Sequence, residues 1–61
     1  MAEETVYTRT TRKALEAVGG ANELAAALRR PLEEVKDWLA GRQVPPDKAF
    51  LRLLEIVSRR G

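Results

Sequence analysis

The chain has no cysteine and no histidine among its 61 residues. The first absence excludes a disulfide framework and any thiolate metal site. The second removes the commonest general base and the commonest metal ligand. Serine is almost missing as well. Ser58, near the C-terminal end, has no histidine to activate it, so the chain is not expected to be an enzyme. No apolar run approaches the roughly 20 residues that a membrane span needs. The opening Met-Ala-Glu-Glu is followed by no hydrophobic stretch of the secretory kind. The expectation is a soluble, cytoplasmic protein in a reducing setting, with no membrane, cofactor or small-molecule substrate. Strict apolar/polar alternation is also absent, so no sheet is expected.

What is present must build a core without staples. A chain this short forms one domain and buries only about 60% of the surface its unfolded form exposes. Its hydrophobic content of 44% is ordinary for a globular chain and too high for a disordered one. Well-packed helices, helped by self-association, are the available source of stability. Lys and Arg total 11 against 9 Asp and Glu, a net charge of +2 that leans only slightly toward a polyanionic partner. The excess lies at the two ends. Residues 32–46 carry two basic and three acidic groups, whereas residues 47–61 carry four basic and two acidic.

Gly19-Gly20, Pro31, Gly41 and Pro45-Pro46 punctuate the chain into four segments of helical length. Residues 1–8 read as a flexible arm ahead of a domain over 9–61, with Tyr7 either contacting a ligand from the arm or packing back as a lid. Thr10 or Thr11 is placed to cap a first helix carrying Ala14, Leu15 and Val18, and Gly19 to stop it. Gly19-Gly20 lacks the Lys-Ser/Thr context of a phosphate loop. Leu24, Ala25 and Leu28 form one face of a second segment. Pro31 suits the start of a third, where Leu32, Val35, Trp38 and Leu39 share a face and Gly41 ends the helix. A last helix starting at Pro45 or Pro46 has Asp47 in its first turn and Arg59-Arg60 in its last, matching the helix dipole. The short link between the second and third helices implies a steep crossing, as in helix-turn-helix units.

Leu24-Ala25, Leu28, Pro31, Val35, Trp38, Gly41 and Val44-Pro45 together resemble the pattern of Cro/lambda-repressor-like helix-turn-helix domains. The resemblance covers about Gly19 to Pro46. It implies a compact all-α fold of four or so helices with the helix-turn-helix near residues 20–41. It further implies double-stranded DNA as partner and transcription regulation as function. Two positions depart from the pattern. Arg29 stands where the family usually turns on glycine, and Ala21 stands where a phosphate-contacting glutamine is frequent. Carried over by position, the base-reading places are Leu32, Glu33 and Lys36.

The third helix tests this reading. At about 100° per residue its apolar set spans an arc of roughly 120°, leaving Glu33, Ala40 and Asp37 at the centre of the opposite face, flanked by Lys36 and Glu34. Carboxylates toward a phosphate backbone cost about 1 kcal/mol per close like-charge contact even in water-like dielectric. One acid is tolerable because Glu33 can accept from a cytosine amino group. Arg29, Arg30, Lys36, Arg42 and Gln43 are the backbone-holding candidates, with Arg9, Arg12 and Lys13 as an arm. Alternatively these are solvated surface charges, with Glu33 and Glu34 pairing to Arg29, Arg30 or Lys36. The same acids make a poor cation site, since a cage of six or more oxygens is not in view. Trp38, on the apolar stripe, reads as core.

The last helix is broader than docking requires. Its apolar residues span about 160°, and Leu51 widens the arc to roughly 220°. Simple coverage of the core with one exposed leucine is one reading. A homodimer interface at Phe50, Leu51 and Leu54 is the other, and the resemblance implies it too. Two functions follow: a DNA-binding regulator, or a protein-interaction module of the same fold that does not bind DNA and works through its acidic third helix or broad last helix.

Overall fold

Thr5 and Thr8 decide where the chain becomes helical. In the computed structural model, which describes residues 5–60, the Thr8 amide donates to Thr5 Oγ1 at 3.2 Å and the Thr5 amide donates to Thr8 Oγ1 at 2.8 Å. This reciprocal capping satisfies amides that a helix start otherwise leaves free. Helix α1 therefore runs Val6–Val18. The expected caps, Thr10 and Thr11, instead lie inside the helix and are buried. Thr11 is comfortable there because its hydroxyl donates to the Tyr7 carbonyl at 2.7 Å. The expected arm over 1–8 is corrected in the same way: residues 5–8 belong to the cap and first turn of α1. Residues 1–4 lie outside the described residues. Tyr7 is a packed residue, its ring meeting that of Phe50 edge-on with centroids 5.1 Å apart.

Three further helices follow: α2 (Ala21–Leu28), α3 (Leu32–Ala40) and α4 (Asp47–Arg60), with no strand among the described residues. Gly19 ends α1 at a φ of 98°, its amide bonding the Leu15 carbonyl at 3.0 Å. Pro31 sits one place before α3 rather than inside it, and its carbonyl accepts from Glu34. Pro46 plays the same part for α4, accepting from Phe50 at 2.8 Å. Both prolines use a position where a missing N–H costs nothing.

The turn between α2 and α3 is held by Arg29. It adopts a left-handed conformation, φ 56° and ψ 45°, and is the one non-glycine with positive φ among the described residues. Its amide bonds the Ala26 carbonyl and that of Arg30 bonds Ala25, closing the end of α2. A side chain in this region costs about 1 kcal/mol that glycine avoids. Arg29→Gly should therefore raise the unfolding free energy by about 0.5–1 kcal/mol, the lower end reflecting the entropy glycine adds to the unfolded chain. Urea denaturation followed by circular dichroism reads the change. A lowered midpoint would mean that the Arg29 side chain contributes more than its backbone costs.

α1 is the hub, packing against each of the other three helices, while α2 packs on α3. α1 and α4 run side by side in the same direction: Tyr7 meets Phe50 near their starts, and Ala17 and Val18 share a shallow recess with Ile56 and Arg59 near their ends. The core is Ala14 from α1, Leu24 and Ala25 from α2, Val35 and Trp38 from α3, and Ala49 and Leu53 from α4. Leu28, Leu32 and Leu39 pack around it, half-buried. The Cα radius of gyration, 10.2 Å, is close to the roughly 10.5 Å expected for a compact chain of this length. This packing fixes which way α3 faces, because Val35 and Trp38 are pinned inward.

Candidate nucleic-acid interface

With Val35 and Trp38 inside, Glu33, Lys36 and Ala40 are exposed on the outer face of α3, and Glu34 and Asp37 sit half-buried on it or at its edges. Arg29 and Gln43, at the two ends of the helix, are exposed, and Arg30 is half-buried. The six residues expected to touch DNA are therefore brought to α3 and the turns that flank it. Arg9, Arg12 and Lys13 are not on an arm. They belong to α1, because the helix begins before them.

Every carboxylate of α3 has a cation beside it. Arg30 Nη1 meets Glu34 Oε1 at 3.2 Å across the start of the helix. Lys36 Nζ lies 3.9 Å from Glu33 Oε2, a long contact from a glutamate side chain that is 84% exposed. At the other end, Arg42 Nε donates to Asp37 Oδ1 at 3.0 Å. The first two pairs were among the alternatives open from the sequence; the third was not. It depends on Gly41, whose left-handed conformation (φ 79°) turns the chain back so that the Arg42 amide also bonds the Asp37 carbonyl at 3.0 Å. A five-residue separation across a glycine stop is the only trace of this in the sequence.

The pairs set the electrostatics of the face. Arg29, Arg30, Lys36 and Arg42 against Glu33, Glu34 and Asp37 leave a surplus of one positive charge, four minus three. Exposed pairs of this kind contribute a few tenths of a kcal/mol each and are screened by salt. They are weak enough for a phosphate oxygen to displace a carboxylate from its arginine or lysine. Beside the helix lies an open groove of about 310 Å³ between α3 and the Gln43–Pro46 segment, bounded by Arg30, Glu34, Asp37 and the edge of Trp38, with Val44 exposed on its rim.

Comparison with protein-family models, with curated proteins and with solved structures finds no match to this chain.

Proposed function

We propose that the chain is a small helix-turn-helix regulator of the Cro/lambda-repressor-like kind, cytoplasmic and non-enzymatic, which binds double-stranded DNA with the outer face of α3. The observation that carries this reading is the unit formed by α2, the Arg29–Pro31 turn and α3, with Val35 and Trp38 buried and the opposite face left to solvent. α3 is an α-helix of nine residues, and a helix about 10–12 Å across with its side chains fits the width of a major groove. Arg29, Arg30, Lys36, Arg42 and Gln43 contact phosphates, which position the helix without reading sequence. Glu33, the most exposed acid of α3, accepts from a cytosine amino group. Arg30, Lys36 and Arg42 each exchange a carboxylate for a phosphate on binding, so part of the Coulomb gain is spent on breaking internal pairs. Affinity for arbitrary sequence is accordingly low.

Fluorescence anisotropy with a random-sequence duplex tests the proposal. At about 50 mM salt the chain should bind with a Kd on the order of 10–100 µM, weakening steeply by 200 mM as counterion release loses its drive. No binding near 50 mM salt at tens of micromolar protein would contradict it. The second function, an interaction module for another protein, would then take its place.

A further inference from the structure

The solvent side of α4 is divided lengthwise. At about 100° per residue, Phe50, Leu54 and Leu51 form an apolar strip on one half, and Glu55, Lys48, Arg59 and Arg52 fall together within about 60° on the other. Leu51 is 64% exposed and Leu54 41%, and the Tyr7 ring extends the strip from α1 through its contact with Phe50. Asp47 and Ser58 interrupt the strip only near its ends. The charged half carries three cations and one acid over about 16 Å of helix, all exposed. Arg52 Nη1 and Glu55 Oε1 form a loose pair there at 3.5 Å. Lys48 and Arg59 have no carboxylate partner among the described residues.

We propose that this face seats an amphipathic helix of another protein, one whose apolar stripe is flanked by acids. The stripe covers Leu51 and Leu54, as apolar anchors of a bound helix do, and the acids lie along Lys48, Arg52 and Arg59. The asymmetry of the face selects this partner. A two-fold contact brings a surface against itself, and this surface does not complement itself. Paired antiparallel, the two-fold axis keeps matching flanks on the same side, so the three cations of each copy crowd together with only Glu55 to offset them. Paired parallel, the charged half of each copy covers the apolar half of the other. A polyanion such as nucleic acid satisfies the cations but leaves Leu51 and Leu54 in water. A chain that is apolar along one side and acidic along the next meets both halves. The surface is smaller than a standard stable interface, so binding is weak, with a Kd on the order of 100 µM. This inference stands whether or not α3 binds DNA.

Two labelled synthetic peptides of about 14 residues, each helical by circular dichroism, test it by fluorescence anisotropy with the whole chain. Both carry leucines at i, i+3, i+4 and i+7 spacing. One has glutamates along a flank of that stripe, and the other has lysines at the same places. The glutamate peptide should bind with a Kd on the order of 100 µM, and the lysine peptide about tenfold more weakly or worse. The paired reversal Lys48→Glu, Arg59→Glu should exchange that preference, with unchanged circular dichroism showing that the helices persist. Leu51→Ala should weaken the glutamate peptide about fivefold. No binding of the glutamate peptide at about 1 mM overturns the proposal. So does equal binding of the two peptides, or a preference that the reversal leaves in place. Binding governed by Lys48 and Arg59 but indifferent to Leu51 is that of a polyanion site and overturns it too. A monomer–dimer equilibrium in sedimentation that Leu51→Ala abolishes would do the same, by giving the face to a second copy.

Discussion

Trp38→Ala should leave the chain largely unfolded at physiological temperature. Trp38 is 3% exposed and sits between α3 and the rest of the core, alongside Leu24, Val35 and Leu53, each fully buried. Truncating a large aromatic in such a position removes its transfer free energy and leaves a cavity, a loss of about 3–5 kcal/mol. A 61-residue domain has a total margin of about 3–9 kcal/mol by the usual per-residue scale. One substitution therefore removes a third of the margin at least, and most or all of it in the ordinary case. Each kcal/mol shifts the melting temperature of a domain this small by about 4–8 °C, so the expected fall is at least 12 °C. Far-UV circular dichroism is the suitable readout, because the substitution removes the chain's only tryptophan. Leu51→Ala, on the exposed strip, is the control and should change stability by less than about 0.5 kcal/mol. A Trp38→Ala chain that melts within a few degrees of the original would mean that α3 is not anchored by this residue. The orientation of its outer face would then lose its basis.

The inward set of α2 and α3 was legible in the residue types, and the reasons are local. Leu24, Val35 and Trp38 recur at helical spacing, and Gly19, Pro31 and Gly41 punctuate on rules that depend only on backbone conformation. The turn at Arg29 was legible only through the resemblance, which puts a glycine at that place. The start of α1 was not. Thr5, Thr8, Thr10 and Thr11 are all competent caps, and the choice depends on tertiary packing. Burying Thr11 and setting Tyr7 edge-on against Phe50 favours beginning the helix at Val6. That same contact divides the three residues of α4 expected at a homodimer interface. Phe50 is half-covered by Tyr7, while Leu51 and Leu54 remain open. On α3 the positions of the acids could be read from the helical repeat, but not the full set of their partners. The Asp37–Arg42 pair crosses a helix end, where the 3.6-residue period no longer says which side chains meet.

The largest change expected in DNA binding comes from removing charge. In the Glu33→Gln, Asp37→Asn double variant, two carboxylates vanish from the outer face of α3. Each relieves a repulsion of about 1 kcal/mol against the phosphate backbone. Lys36 and Arg42 also lose the partners that hold them, at 3.9 and 3.0 Å, and are released to phosphates. Together the two effects should tighten binding to random-sequence duplex by about tenfold to thirtyfold. If Glu33 reads a cytosine, discrimination between sequences should fall while overall affinity rises, since phosphate contacts position and base contacts specify. Both substitutions keep the side-chain volume, and the lost surface pairs are worth only tenths of a kcal/mol, so the fold should be unaffected.

The claim beneath all of this is that the outer face of α3 lies against the phosphate backbone, with its acids traded for phosphates on binding. The salt dependence of duplex binding, measured side by side for the original chain and the Glu33→Gln, Asp37→Asn variant, tests it most directly. The slope of log affinity against log salt should steepen by about 0.9 for each unit of net positive charge gained by the face that meets the phosphates, up to about two units in all. Parallel slopes and equal affinities would contradict it, because a face that meets DNA cannot lose two negative charges without consequence.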